Sequence, residues 1–493
     1  MINEKNFEVT SAVDPRRWIA LIVILAAGFM DLLDATIVNV AIPNILKDLR
    51  TGFAQIEWIV AGYALGFAAV LIVAGRLGDI YGRKRLFLIG MTGFTLASAL
   101  CGVAVSPGML IATRLFQGAM AGTMIPQILS IIHATFPAQE RRNAYGLFGA
   151  VVGCASAAGL ILGGLLVQWN LLGLHWRPVF LVNIPVGIAA VIAGWYVISE
   201  TKSPTAPRLD VVGAVLASGA TLLLAYPLTE GRAQGWPAWA FLLMAGAAAA
   251  LLLLVRYERW RDRTIGSPLV ALGLFRSPAF TLGIALLVIF SVSFAGFFFA
   301  WTLYLQVGLG WTPVHAGGTA VAFALAAMVG SAASMAALTP RFGRRVLMAG
   351  ALVNAVGFAG YAILAVHYGS AISSWQMLAP LVIAGAGFGL VIAPIIDLIL
   401  SDVPVSDAGS ASGLLSAVQE SGNALGVVLA GVVFFHYLGG PAAGARTHDF
   451  GRAFGISLWY AVGILVIFFA GLFVLPRQVR ERDVDAELEA AKA

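Results

Sequence analysis

The sequence predicts an all-α polytopic membrane protein, and three observations carry that prediction. The 493 residues are 60% hydrophobic and only 11% charged, against ~25% charged in soluble domains. Apolar runs of ~18–25 residues, each enough to cross ~30 Å of hydrocarbon as helix, recur along the whole chain. The runs do not alternate apolar and polar residues as the strands of a membrane barrel do, and the 56 glycines suit helices that approach closely in lipid.

Taken in order, the runs give 14 transmembrane helices, at 18–43, 56–77, 86–105, 109–134, 143–168, 179–199, 210–229, 237–256, 278–306, 314–339, 346–368, 375–400, 411–437 and 453–475. An even number puts both termini on one side. With that side cytoplasmic, its segments hold 23 of the 30 Lys and Arg, the opposite loops hold six, and Arg114 lies within a span. The positive-inside rule therefore places both termini in the cytoplasm, for a multi-pass protein of the cell inner (plasma) membrane. No cleavable leader is expected, because the first run follows Arg16 and Arg17 and is too long for a signal core.

The expected organisation is a cytoplasmic tail (1–17), a first six-helix bundle (18–199), a linker region (200–277), a second six-helix bundle (278–476) and a second cytoplasmic tail (477–493). The linker region carries two inserted helices rich in Ala and Leu. Its segment 257–277, with Trp260, Leu272, Leu274 and Phe275 among basic residues, is either an amphipathic piece on the membrane surface or a solvated loop. A weak internal repeat supports two halves: Gly82-Arg83-Lys84-Arg85 follows the second span as Gly343-Arg344-Arg345-Val346 follows the tenth, with Asp79 matched by Pro340. Repeated halves with a site between them form a transporter architecture.

Polar residues inside the spans mark the candidate site. Asp31 and Asp34 stand three apart on one helix face. A charged Asp at mid-membrane costs ~2.5–3.5 kcal/mol on insertion scales, so this face should look at protein or water; for Asp31, and less so for Asp34, a wet place near the membrane surface is the alternative. Arg114 cannot shed its proton and needs a partner, for which Asp34 or Asp31 is the obvious choice. Breaking such a pair raises the proton affinity of the acid, a physical route to proton coupling; a static pair that orients helices is the alternative. Glu420, near the middle of its span, and Asp397, which also fits a wet place near the end of its span, are the further acids for proton or substrate. The string Gly75-Arg76-Leu77-Gly78-Asp79-Ile80-Tyr81-Gly82-Arg83-Lys84-Arg85 reads as a latch at the cytoplasmic face. Its glycines permit close approach, and Asp79 can accept from a helix N-terminus and pair with Arg. In the ninth span, Phe297, Trp301 and Tyr304 either line a cavity or serve packing.

The latch string resembles the loop signature of the major facilitator superfamily, with Ile80 in place of a basic residue. Asp34-x-Thr36-Ile37-Val38-Asn39-Val40-Ala41-Ile42-Pro43, Trp58 with Tyr63, Arg114-x-x-Gln117-Gly118 and Trp176-Arg177-Pro178-Val179-Phe180-Leu181-Val182-Asn183-Ile184-Pro185 are similar to its fourteen-span drug:proton antiporters. In the fifth span, Gly146, Gly159 and Gly163-Gly164 fit the antiporter signature, while Ala155 and Leu160 stand where it has Gly and Pro. The resemblance implies the major facilitator fold of two six-helix bundles, alternating access, and multidrug efflux driven by the proton gradient with no cofactor. It adds Asn39, Tyr63 and Gln117 as cavity-lining candidates.

The resulting expectation is a secondary transporter that exports hydrophobic, cationic drugs or antibiotics in exchange for protons. Its partners are a small lipophilic substrate, protons and the bilayer; a monomer is favoured. Two rivals stay open: a proton-coupled transporter of one metabolite, peptide or self-made antibiotic, and a membrane sensor or assembly partner that does not transport. An enzyme is not expected, since no nucleophile–base arrangement or metal-ligand spacing occurs and Cys101 and Cys154 both lie in apolar runs. Nucleic acid is not an expected partner, because the basic residues sit in loops between spans.

Overall fold

The computed structural model describes residues 15–51, 53–169, 173–203, 209–231, 234–264, 268–438 and 447–475. Among them no strand occurs. Lipid offers no partner for free backbone N–H and C=O groups, so a chain this apolar closes its hydrogen bonds within helices. The helices are α1 (Arg17–Asp48), α2 (Phe53–Tyr81), α3 (Arg83–Gly102), α4 (Pro107–Thr135), α5 (Ala138–Trp169), α6 (Pro178–Leu181) and α7 (Asn183–Val197). They continue as α8 (Val211–Glu230), α9 (Ala238–Thr264), α10 (Pro278–Thr302), α11 (Pro313–Ala333), α12 (Thr339–Phe342), α13 (Arg344–Tyr368), α14 (Ser374–Ser401), α15 (Ala408–Leu438) and α16 (Thr447–Gly471).

Several starts follow from local chemistry. Ser106 and Thr312 accept from the third residue of α4 and α11, each with Pro at the first helical position. Ser373 and Gln376 form a capping box on α14. The sixth expected span breaks at Val182, where the short α6 gives way to α7. The tenth leaves α-helical bonding over Ser334–Leu338, a π-helical stretch just before Pro340, which has no N–H to continue the ladder.

Thirteen of the described helical segments are long and apolar enough to cross a membrane. The fifth expected span falls on α5, some of whose side chains lie outside the described set, and the thirteen are counted without it. Helix α5 packs along α1, α11 and α14. Its backbone stays helical through residue 160, where the antiporter pattern has Pro.

Helices α1–α7 pack mainly among themselves, as do α10–α16. The two groups meet where α5 runs along α11 and where α2 and α4 meet α15. Helix α8 lies on α2 and α15, so the inserted pair covers one edge of that seam. In the segment after α9, Leu269, Val270 and Leu274 are buried in the core, while Phe275 stays exposed. The start of the linker is not loose, since Thr201 O accepts from Arg83 N and Ser203 N donates to Asp79 O, both at 2.9 Å.

Candidate functional site

Helix α1 carries Asp34 to the middle of the first group, where its carboxylate is fully buried. Oδ2 accepts from Arg114 Nη1 on α4 at 2.5 Å. Oδ1 accepts from Gln117 Nε2, one turn along α4, at 3.0 Å and from Asn183 Nδ2 at the start of α7 at 2.7 Å. The amides are held in turn by Ser98 Oγ on α3, at 2.8 Å from Gln117 Nε2 and 3.3 Å from Asn183 Nδ2. Arg114 Nη1 also donates to Gln117 Oε1 at 2.7 Å, and its guanidinium lies 4.2 Å from the centre of the Tyr63 ring. Four helices thus close a charge-neutral knot around one carboxylate, which is the condition for keeping an ion in a low-dielectric interior.

One turn back on α1, buried Asp31 accepts from Tyr63 Oη on α2. Its charge is within electrostatic reach of Asp34, Arg114 and Glu420. Glu420 lies on α15, in the other group of helices. It is exposed, with Asn423 Nδ2 donating to its Oε1 at 3.2 Å. Asp397 is not brought to this group. It stands on the last part of α14 with Arg142 of α5 at 4.0 Å, where the basic loops gather.

The α10 aromatics do not line an opening. Phe297, Trp301 and Tyr304 are buried. Phe297 stacks on Phe358 of α13 with ring centres 4.5 Å apart, Trp301 Nε1 donates to Tyr361 Oη at 3.0 Å, and Tyr304 Oη donates to Gly369 O at 2.6 Å. Burying large rings against α13 removes more apolar surface than facing a polar cavity would. Of the other cavity candidates, Tyr63 and Gln117 belong to the buried knot, and the side chain of Asn39 lies outside the described residues.

A second polar cluster forms at the end of the bundle that carries the basic loops. Asp79 on α2 is fully buried. It accepts from Arg83 Nη2 at 2.7 Å and from the backbone N–H groups of Gly409 and Ser410, at 2.9 and 3.0 Å, which are the first turn of α15. It thus caps a helix of the other group, satisfying orphan donors at the positive end of that helix. Arg83 Nη2 also reaches Val405 O at 2.6 Å. Gly75 makes the approach possible: a Cβ there would sit 2.2 Å from Gly409 O. Gly82, with φ +111°, holds the turn before α3. Lys84 takes no part across the seam, because its Nζ donates to Trp195 O on α7 at 2.6 Å.

The segment after α9 joins this cluster. Arg76 Nη2 donates to Pro268 O at 3.0 Å, and Ser410 Oγ to Leu269 O at 3.1 Å. Buried Glu258 on α9 accepts from Leu269 N at 2.8 Å. Nearby Asp210 caps α8 through Gly213 N at 2.8 Å and pairs with Arg261 at 3.1 Å. His133 on α4 adds a contact to Val403 O at 2.8 Å.

At the other end of the first group, beyond the apolar part of α1, Asp48 accepts from Trp176 Nε1 at 2.9 Å and Arg177 Nη1 at 2.8 Å. The indole hydrogen bond first, then the guanidinium, hold its carboxyl below the usual carboxylate range.

Sequence reasoning passed over Asn183 and Ser98 as site residues. Asn183 had a signal, a lone amide at the start of an apolar span just after a Pro-containing break. Ser98 had none, as a serine in a membrane helix ordinarily bonds to its own backbone.

Comparisons with known proteins come to bear on this geometry. Residues 24–427 match the family model of the Major Facilitator Superfamily. The chain is 41% identical to a probable actinorhodin transporter of Streptomyces coelicolor, over 89% of this chain and 76% of that one. It is 35% identical to a tetracenomycin C resistance and export protein of Streptomyces glaucescens, over 87% and 78%. Among solved structures it is similar to the human organic anion transporter MFSD10, with TM-score 0.62 and 16% identity over 93% of this chain and 99% of that one, a likeness of fold.

Proposed function

We propose, for a chain that belongs to the major facilitator superfamily, that it exports hydrophobic, cationic, antibiotic-like compounds in exchange for protons. It is a multi-pass membrane transporter and not an enzyme. The single observation that carries the proton reading is the buried Asp34–Arg114 pair, with Asp31 and Glu420 within charge reach beside it.

The mechanism follows from those contacts. While Asp34 is ionised it holds Arg114, and Asp31 and Glu420 present negative charge on both sides of the seam to a cationic cargo. A proton on Asp34 removes the partner of Arg114. The guanidinium then turns toward Asp31 across the Tyr63 ring while keeping its bond to Gln117 Oε1, and by neutralising Asp31 it weakens the hold on the cargo. The cluster around Asp79 ties the two groups together at one end and must open for the opposite access state. With α5 as the fifth of fourteen spans, that end is cytoplasmic, as are both termini, in the inner (plasma) membrane. The proton gradient supplies the energy without a cofactor, and the working unit is a monomer.

A second reading is favoured by two of the relatives, each named for a single antibiotic: export of one self-made compound. Both readings are tested by uptake of a lipophilic fluorescent cation, and of a panel of neutral and anionic antibiotics, into inside-out vesicles with an imposed pH gradient. Antiport requires accumulation that needs an acidic interior and is lost in Asp34→Asn. Accumulation indifferent to the gradient would overturn it, and response to one panel member alone would select the second reading.

A further inference from the structure

The knot around Asp34 leaves one acceptor idle. Asn183 is buried, and among the described residues its Oδ1 has no hydrogen-bond partner, while its Nδ2 serves Asp34 Oδ1 and Ser98 Oγ. A buried acceptor left unmade keeps its full desolvation penalty, so its presence beside the proton site calls for a reason.

The reason lies in what a proton would meet. Oδ2 of Asp34 is covered by Arg114, and two amides point N–H groups at Oδ1. A hydrogen added at Oδ1 would face those donors, so one of them must turn away. Gln117 is held at both ends: its Oε1 accepts from Arg114 Nη1 at 2.7 Å and faces Cys101 Sγ at 3.6 Å, and its Nε2 reaches Ser98 Oγ at 2.8 Å. Asn183 has a free carbonyl oxygen, and its position at the first residue of α7 places it just past the break at Val182.

We propose that Asn183 is the positioning residue for proton exchange at Asp34. Its side-chain amide offers Nδ2 to the ionised carboxylate. Turned over, it offers Oδ1 to the hydroxyl of the protonated one. The proton enters from water and ends on Asp34 Oδ1; the asparagine exchanges a donated hydrogen bond for an accepted one and neither gains nor loses a proton. The charged and titratable groups around the pair are Arg114 on α4, Asp31 on α1, Tyr63 on α2, Cys101 on α3 and, across the seam, Glu420 on α15. The proposal rests on Asp34 as the proton site, and the test separates the two.

Infrared difference spectra between alkaline and acidic buffer are taken on the purified full chain in lipid nanodiscs, with no cargo, using isotope-labelled asparagine. The expected wild-type result is a protonated-carboxyl band that disappears in Asp34→Asn, accompanied by a change in an asparagine side-chain carbonyl band. In Asn183→Leu the carboxyl band persists but shifts to higher wavenumber, because the hydroxyl has lost its acceptor, and the asparagine change vanishes. In Asn183→Ser, whose hydroxyl also accepts, the carboxyl band stays near its wild-type place. An Asp34-dependent band that is unmoved in Asn183→Leu overturns the role of Asn183 and leaves Asp34 as the proton site. The absence of any Asp34-dependent band overturns both. Where Asn183→Leu does not fold, a wild-type asparagine band that ignores the titration of Asp34 is enough to overturn the proposal.

Discussion

Asp34 and Asp79 are both buried aspartates paired with arginine, yet they are built to opposite ends. Every hydrogen-bond partner of Asp34 comes from the same group of helices: Arg114 and Gln117 from α4, Asn183 from α7. Asp79 divides its bonds between Arg83 in its own group and the N-terminus of α15 in the other. The first site can change its charge without moving the halves. The second cannot lose its partners unless the halves move. On the proposed function, chemistry and gating would sit on different carboxylates. The second half repeats the loop without the acid: Pro340 stands where Asp79 would be, and Arg344 Nη1 bonds to Phe473 O at 3.2 Å, at the end of its own group. Among the described hydrogen bonds, the first of the two repeated loops is the one that ties across the seam.

The largest expected effect tests the self-contained site. Arg114→Ala leaves Asp34 without its charge partner, and breaking a buried pair typically costs ~3–5 kcal/mol. Thermal unfolding in detergent should show that loss, and Arg114→Ala combined with Asp34→Asn should recover a large part of it. A double variant no more stable than Arg114→Ala would show that the pair is not the source of the cost. The gate comes next. Asp79→Asn keeps the shape but removes the charge from bonds worth ~1.5–3 kcal/mol each. Hydrogen–deuterium exchange at Gly409 and Ser410 should then rise by about tenfold or more, while the peptides around Asn183 exchange as before. Rises at both places would dissolve the distinction between the two sites.

The smallest effect concerns Asp48, a third acid that is only part-buried beside Arg177. Its carboxyl is depressed below the ordinary value of ~3.9. Its contribution to stability is therefore complete above that value and is lost as pH falls through the lower value of the folded state. Asp48→Asn should remove that part of the acid-dependent destabilisation and leave stability at neutral pH only slightly lower, as measured by unfolding midpoints across an acid series. A variant with the same acid profile as the wild type would sink the assignment.

Much of this was legible from residue types. Long apolar runs announced the helices, and a charged residue inside a run announced a partner, as Arg114 and Asp34 show. Asp79 among glycines pointed to a helix N-terminus before that helix could be named. The inserted pair was harder to read. Its buried Glu258 sits just past the apolar run of α9, in a stretch that reads equally as membrane-surface segment or solvated loop, and only the folded chain brings Leu269 N back to it. The aromatics of α10 were ambiguous for a related reason: a helix apolar on every side gives no periodic clue to which face meets protein.

The sequence by itself determined that the chain crosses a membrane many times, which of its loops are basic, and which few polar groups had to find company there. Hydropathy and charge are properties of single residues, and the bilayer acts on them one segment at a time. Tertiary structure alone decided which polar group met which. Asn183 reaches Asp34, Glu420 comes within charge reach of Asp31 while Asp397 stands apart with Arg142, and Gly75 together with Gly409 and Gly413 lets α2 touch α15. Those choices depend on the rotation and depth of each helix. In lipid these are set by the fit of small residues and the closing of hydrogen bonds between helices, not by hydrophobicity, which is the same on every side.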